Sequence, residues 1–277
     1  MQYATARSRA NWITHTGMMQ AAPRTHFNSS RLIRFLADLS VADAAESRQS
    51  FAETLGQWLN IADAITLSAS LSASPAGPSE AQFGEPSVAR AAIEEEFARI
   101  RTTSVNSIRK SFSPDAGETR LKLPTPKPGA AIEGSEIAAD YKPYHRFYVA
   151  HQRDMDLSIQ PLRASVREAL SRASPALKQL AALDAALDRI LGVRERQLLS
   201  TVPQLLEKRF GQMFKAHRQT LVDTRHADNP DFCMQPGGWL AGFCKELQAV
   251  LLAELNVRLQ PIEGLIEAFS NEANKQK

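Results

Sequence analysis

The sequence predicts an all-α fold, a helical bundle built from long amphipathic helices, and three observations support this class. Apolar residues recur at three- and four-residue steps through most of the chain, which is the period of an amphipathic helix. No segment alternates apolar with polar residues as a half-buried strand does. Aromatic residues make up only 7% of the chain, whereas the helix-favouring alanine and leucine are abundant. A small N-terminal helical segment, disordered linkers and proline-bent helices are expected to complete the bundle.

An N-terminal helical region is predicted over residues 24–112, after a disordered tail over residues 1–23 that lacks any apolar period. Capping residues open "NSSRLIRFLADL", which carries a first apolar stripe, and "FAETLGQWL" carries a second. A short third helix in "NIADAITLSASL" is expected to turn Ile61, Ile65 and Leu71 inwards.

Two linkers are predicted from composition. The segment "SASPAGPSEAQFGEP", residues 72–86, is rich in proline, glycine and serine. Residues 113–139 are rich in proline, glycine and charge, and they are long for a structured loop, so we expect them to be disordered. Between the linkers, one more helix carries a stripe formed by Ile93, Phe97, Ile100, Ser104, Ile108 and Phe112.

A C-terminal helical bundle is predicted over residues 140–271, where the apolar pattern becomes long and regular. Its first helix begins at Asp140 and continues to about Arg172. Ser174 and Pro175 are typical of the cap and the first position of a second helix. The second apolar pattern then continues without a strong break through "RFGQMFKAH".

The last helix is predicted from about Trp239 to Phe269, after a loop over residues 223–238. Its segment "NVRLQPIEGLIEAF" aligns with "DLSIQPLRASVREAL" at an offset of 100, which either a duplicated helical hairpin or a chance match of amphipathic helices explains. Three prolines fall inside the long helices, and each removes a backbone hydrogen bond and bends its helix: Pro161, Pro203 and Pro261.

The stretch "DYKPYHRFYVAHQRDM" is the densest cluster of aromatic, basic and histidine side chains. At about 100° per residue, Tyr144, Tyr148 and His151 join the apolar stripe, so the ring of His151 is expected to have a buried hydrogen-bond partner. Arg146 and Arg153 face away from the stripe and are expected to be solvated. A stacking platform for single-stranded nucleic acid is the alternative interpretation, but it needs the same aromatic rings that must bury the helix.

A basic segment follows, because residues 140–222 contain 14 basic and 8 acidic residues in a chain of net charge +3. Six basic residues flank its later apolar stripe and are predicted to form one positive helical face, the candidate partner-binding site: Arg194, Arg196, Lys208, Arg209, Lys215 and Arg218. A basic helix surface that contacts only solvent would show the same pattern of residues. The functional interpretations are docking of an acidic protein or of nucleic acid.

The sequence contains no phosphate-binding loop, dinucleotide fingerprint, nucleophile elbow or His-Glu-x-x-His motif. Its two cysteines, Cys233 and Cys244, do not make a disulfide framework and have no adjacent histidine at ligand spacing, which indicates a reducing cytoplasm. No apolar run approaches the roughly 20 residues that span a bilayer. We therefore expect a cytoplasmic protein that is not an enzyme and has neither metal nor cofactor.

Four segments, read together, are similar to one known family: "RTHFNSSRLIRFLADLSVADAAESRQSFAETLGQWLNIADAITLSASL", "YKPYHRFYVAHQRDM", "LLSTVPQLLEKRF" and "LQAVLLAELNVRLQPIEGLIEAF". They resemble the proteobacterial domain of unknown function DUF3348 over most of residues 24–269. The family has no assigned activity, so the resemblance transfers no functional residue. Its genes often lie beside those for an OmpA-like peptidoglycan-binding protein and a motor-like coiled membrane protein. The resemblance thus implies an accessory component of a bacterial envelope-associated assembly.

The leading functional prediction is a non-enzymatic helical interaction or scaffold protein. Its partner is expected to be a protein, either in an envelope-associated complex or as a second copy in a homo-oligomer. Nucleic-acid binding by the basic face over residues 194–218 is the alternative, and an enzyme with a site assembled from scattered residues is the third.

Overall fold

The computed structural model describes Leu32 and residues 59–72, 86–113, 119–125, 140–224 and 233–275. All regular structure in these residues is helical, which confirms the predicted all-α class. The helices are α1 (Ile61–Ser72), α2 (Pro86–Ser111), α3 (Lys142–Ala173), α4 (Pro175–Leu199), α5 (Val202–Thr224) and α6 (Trp239–Lys275). None of these helices is both long and apolar enough to cross a membrane. The predicted tail over 1–23 and, apart from Leu32 and Leu59, the two helices predicted before α1 lie outside the described residues.

Helix α3 buries the apolar stripe that the sequence predicts. Seven residues at three- and four-residue steps are buried along it: Tyr144, Tyr148, His151, Met155, Ile159, Leu162 and Val166. Arg146 and Arg153, which the pattern places on the opposite side, are exposed. The apolar period of the segment therefore correctly predicted that it is a helix and which side of that helix faces the core.

Helices α3 and α6 lie side by side and run in the same direction. The hydroxyl of Tyr148 donates a hydrogen bond to Glu254 of α6 (2.6 Å), and one turn further along α6 Arg258 pairs with Asp156 of α3. Later residues of α3 therefore contact later residues of α6, as expected for a parallel pair. The two segments that align at an offset of 100 lie in this parallel pair, each with its proline inside the helix.

Helix α5 packs against the first part of α6 in the opposite direction. The ring of Phe210 lies 5.0 Å from that of Phe243, and the ring of Phe214, one turn later in α5, lies 5.5 Å from that of Trp239. Edge-to-face and tilted pairs of this kind stabilise a core beyond the area they bury. The aromatic cluster fixes α5 at the N-terminal end of α6.

Helix α2 packs against the later part of α6, also in the opposite direction. Ser270 donates a hydrogen bond to Glu94 (2.9 Å), and Arg101 lies 3.7 Å from Glu263. Ile108 of α2 is buried in the same hydrophobic core. Because α2, α3 and α5 all contact α6, the last helix is the common axis of the bundle, and α2 of the predicted N-terminal region shares its core with the predicted C-terminal bundle.

The predicted start of α4 is confirmed, but its predicted continuation is wrong. Ser174 is the cap, accepting a hydrogen bond from the amide of Leu177 (3.2 Å), and Pro175 begins the helix. The helix ends at Leu199 instead of continuing into the next segment. Pro203 then lies in the first turn of α5 rather than inside a helix, because a proline lacks the amide that an interior position needs.

Helix α1 does not turn its isoleucines inwards, so this expectation is wrong. Ile61, Ile65 and Leu71 are exposed. The helix begins with reciprocal hydrogen bonds between Asn60 and Asp63 (2.8 and 3.2 Å), and none of its residues is buried. It contacts α4, where the side-chain amide of Gln179 donates to the carbonyl of Leu71 (2.5 Å).

Residues 119–125, which lie within the predicted linker 113–139, contact the bundle. Leu121 and Leu123 pack against the core, and the amide of Leu123 donates to the carbonyl of Ser111 (2.9 Å). Arg120 pairs with Asp154 of α3. The prediction of a disordered linker did not include these contacts. The rest of 114–139 lies outside the described residues, as do residues 73–85 of the other predicted linker.

Candidate partner-binding surface

The six predicted partner-binding residues are distributed over two helices that the turn at residues 200–201 separates. Arg194 and Arg196 are exposed on α4, but two residues correspond to about 200° of helical rotation, so they point to different sides. Lys208, Lys215 and Arg218 are exposed on α5. The structure therefore does not assemble the predicted residues into one helical face.

Arg209, the sixth predicted residue, is engaged inside the molecule. Its Nε and Nη2 atoms donate to the two carboxylate oxygens of Glu246 on α6, at 2.8 and 2.7 Å. This bidentate bond raises the pKa of the Arg209 guanidinium. Arg209 thus fastens α5 to α6 and is not presented to a partner.

The outer side of the α3–α4 pair carries a different surface. On α3, Tyr148 and Gln152 contact α6, and four residues lie about 100–180° further round the helix: Arg146, Val149, Arg153 and Leu157. On α4, three residues lie about 80–140° round the helix from Asp188, which contacts α3: Arg189, Val193 and Arg196. All seven are exposed. We call this set the outer surface.

Two apolar residues of the outer surface, Leu157 and Val193, lie at about the same level of the two helices. The side-chain amide of Gln152 donates to the carbonyl of Leu199 (3.1 Å), and Arg163 donates to Asp188 (3.0 Å), so α3 and α4 are antiparallel. These two contacts put Leu157 of α3 within one residue of the level of Val193 of α4, although Val193 lies about 140° round α4 from Asp188, which faces α3.

These apolar side chains are unusually exposed for their types. Leu157 is 65% exposed, Val193 52% and Val149 41%. Most large apolar side chains of the long helices are instead buried or half-buried. Of the three exposed residues, two lie on α3 and one on α4.

The arginines of the outer surface differ from neighbouring arginines in their ion pairs. Within the described residues, no ion pair is formed by Arg146, Arg153, Arg189 or Arg196. Three acidic residues nearby already have cationic partners: Asp156 pairs with Arg258, Glu168 with Arg172 and Asp188 with both Arg163 and Arg167. The outer surface therefore presents positive charge that its own side of the bundle does not neutralise.

An ionic cluster holds α3 and α4 together further along the pair. Arg163 and Arg167 of α3 both donate to Asp184 of α4, at 2.6–3.0 Å, and both also donate to Asp188. Burial alone raises the pKa of the Asp184 carboxyl, but the hydrogen bonds and charges of the two arginines outweigh burial and hold it below its ordinary value. The four side chains fix the spacing and level of the two helices.

A second buried polar group, Glu254, occupies the interface between α3 and α6. Its side chain is fully buried and accepts hydrogen bonds from Tyr148 (2.6 Å), Gln152 (3.0 and 3.1 Å) and Arg258 (2.7 and 2.9 Å). Burial, followed by the charge and hydrogen bond of Glu254, raises the pKa of Tyr148 well above its ordinary value. Each of these contacts joins groups of the bundle itself, so the cluster is structural.

His151 has the buried partner that the sequence analysis expects. Its Nε2 atom lies 3.0 Å from Oγ of Ser111, the last residue of α2. The Ser111 hydroxyl donates to the carbonyl of Ile108 (2.8 Å), so it accepts the proton carried on Nε2. The ring of Phe147 lies edge-to-face 4.7 Å away. Among the described residues, no group of three or more histidine, cysteine or acidic side chains is placed to hold a metal ion.

The sequence singled out Arg146, Arg153 and Arg196 but did not assign them to one surface. The sequence does contain a weak indication of exposed apolar residues, because Leu157 and Val193 lie on the polar sides of their helices. Each could be recognised from its own helical projection. Their common level follows only from the antiparallel packing of α4 on α3.

Comparison with known proteins agrees with the extent of the fold. A family model described as "Protein of unknown function (DUF3348)" matches residues 18–271. The chain belongs to this family. The match covers α1 to α5 and α6 up to residue 271, and it confirms the resemblance carried by the four helical segments. No curated protein and no solved structure matches the chain.

Proposed function

We propose that this DUF3348 protein is a non-enzymatic interaction protein whose helical bundle presents the outer surface to a protein partner. The observation that carries the proposal is that α3 and α4 expose Leu157 and Val193 together with arginines that have no ion pair within the described residues. Aliphatic side chains with arginine around them are a common composition of protein-binding surfaces.

The interior of the bundle supports the same function. Glu254, Asp184 and Arg163 are buried, and each is engaged by side chains of neighbouring helices. Groups used in this way stabilise helix packing and hold a surface in a fixed shape. A rigid surface binds with a smaller entropic cost than a mobile one.

The expected partner is a component of an envelope-associated assembly that meets this protein on its cytoplasmic side. This finer part of the proposal is supported by the gene neighbourhood that the family resemblance implies. A second copy of the chain is the other protein partner that the test must recognise.

Quantitative affinity capture of the full chain from cells that naturally encode it tests the proposal. We expect a defined protein to be recovered with the wild type and lost with Leu157→Glu. Val88→Glu is the matched control, because Val88 is equally exposed (65%) but lies on α2. Recovery of no protein above a bait-free control, or of the same proteins with both variants, contradicts the proposal.

Nucleic-acid binding by α5 is the alternative, because Lys208 and Lys215 are exposed on the same side of that helix, seven residues apart. Binding to duplex or single-stranded DNA or RNA at low salt, abolished by Lys208→Glu with Lys215→Glu, would establish it. Low salt is the sensitive condition because counterion release is then most favourable.

A further inference from the structure

We propose that residues 119–125 form a strap that closes the corner between α2 and α3 while the ring of His151 is neutral, and that the strap opens when the ring binds a proton. The strap and the ring share two neighbours. Ser111, the last residue of α2, is hydrogen-bonded to both, and Asp154 of α3 pairs with the strap and acts electrostatically on the ring. This coupling goes beyond the proposed interaction function and does not depend on the outer surface.

The strap turns alternate side chains towards the bundle. Leu121 and Leu123 are half-buried and pack against the hydrophobic core, whereas Arg120 and Lys122 are exposed. Alternation of this kind is typical of a non-helical, extended chain. A segment that lies on the bundle through one row of side chains can lift away without disturbing the helices beneath it.

Few polar contacts hold the strap closed. In the described part of the chain, the amide of Leu123 donates to the carbonyl of Ser111 (2.9 Å), and Arg120 pairs with Asp154. The side chain of Arg120 is 74% exposed, and ion pairs of exposed groups contribute little to stability. The hydroxyl oxygen of Thr119 is buried without a hydrogen-bond partner among the described residues, so opening to water would hydrate it. The strap is therefore poised to open locally.

His151 is the titratable group at this corner. Its ring is buried, and burial lowers its pKa from 6.5 to about 4. Asp154 opposes this shift in pKa, and Arg120 of the strap adds to it. The charged residues in the last turn of α2, Arg109 and Lys110, are exposed. The ring is thus neutral at pH 7 while the strap is closed.

A proton on the ring weakens the ion pair that holds the strap to α3. The proton enters on Nδ1, because Nε2 already carries the hydrogen donated to Ser111. The cationic ring then attracts Asp154, three residues further along α3, and repels Arg120. Opening hydrates the ring and withdraws the arginine, so the open state binds the proton more tightly. The free energy of opening therefore falls as the pH is lowered from 6.5 to 4.

Titration of the His151 ring by NMR, in the full chain, tests the coupling from one side. Leu121→Ser with Leu123→Ser removes the apolar contacts of the strap without changing its charge. The proton affinity of the ring should rise about tenfold or more in this variant, because opening exposes the ring to water. Leu157→Ser with Leu198→Ser is the matched control, because both leucines are exposed on the bundle, and it should titrate like the wild type.

Hydrogen exchange of the Leu123 amide tests the coupling from the other side. In the wild type, its protection should fall about tenfold or more between pH 7 and pH 4.5, after correction for the pH dependence of exchange itself, since proton binding favours the open strap. His151→Gln should lose this dependence on pH. Amides of α6 that exchange only on global unfolding are the internal reference for the stability of the whole bundle.

Two outcomes overturn the proposal. The first is a His151 ring that titrates alike in the wild type and in the Leu121→Ser, Leu123→Ser variant. The second is a protection of the Leu123 amide that does not change with pH in the wild type, or that changes equally in His151→Gln. Circular dichroism checks that each variant is folded, and if one of them does not fold, the measurement on the other decides.

Discussion

His151 makes the stability of the bundle depend on pH. Burial lowers the pKa of its ring from 6.5 to about 4, with Asp154 opposing the shift and Arg120 adding to it. The folded state therefore holds the ring neutral, whereas the unfolded chain binds a proton below about pH 6.5. Since the unfolded state binds more protons between these two values, the free energy of unfolding falls as the pH is lowered from 6.5 to 4.

This linkage gives a prediction for His151→Gln. A shift of this size corresponds to about 3 kcal/mol of stability that is present at pH 7 and mostly lost by pH 4.5. Urea unfolding of the wild type should show this loss, and the variant should lose about 2 kcal/mol less between pH 7 and pH 4.5. Carboxyl groups that titrate nearby contribute equally to both proteins, so the difference isolates the histidine. Identical pH slopes in the two proteins would contradict the assignment.

The pairing of α3 with α4 depends on one carboxylate shared by two arginines. Asp184 is buried, and Arg163 and Arg167 both donate to it. Removing it leaves two poorly solvated cations with only Asp188 between them, and breaking a buried pair in this way is strongly destabilising.

Asp184→Ala should therefore lower the free energy of unfolding by about 3 kcal/mol at pH 7, measured by urea denaturation. Glu168→Ala is the matched control, because it removes an ion pair of α3 with Arg172 whose side chains are exposed. The control should cost less than about 1 kcal/mol, since exposed pairs contribute little. Equal losses in the two variants would mean that the cluster does not hold the helices.

At the scale of the element, the sequence predicted what a single helix determines by itself. The period of α3 identified its buried side from Tyr144 to Val166, and Ser174 with Pro175 identified the start of α4. The break before Pro203 was missed because apolar steps continue across it, so periodicity could not separate one helix from two. The exposure of α1 was missed because periodicity shows which residues share a side of a helix but not whether another element covers that side.

At the scale of the whole molecule, the candidate site was predictable only in its parts. The exposure of Arg146 and Arg153 follows from one helix, but their relation to Val193 and Arg196 depends on the packing of another. Arg209 has the same local pattern as its basic neighbours, yet Glu246, 37 residues away, engages it. Long-range partners of this kind leave no signal in local spacing.

The arrangement around α6 predicts that the described helices unfold together. Helix α5 packs on the first part of α6 and α2 on the later part, so loss of either contact weakens the helix on which the other depends. Phe243 is fully buried among the aromatic rings at the α5 end. Phe243→Ala should cost about 3–5 kcal/mol, because it leaves a cavity that a packed core fills only partly.

Hydrogen exchange followed by mass spectrometry can locate that loss. In the wild type, the slowest amides of α2 and α5 should exchange with the same free energy of opening, and Phe243→Ala should lower both by the same amount although α2 is distant from the substitution. Val88→Ala, an exposed change on α2, should leave both unchanged. Faster exchange in α5 with wild-type protection in α2 would show two separate cooperative units, and α6 would then join them without coupling them.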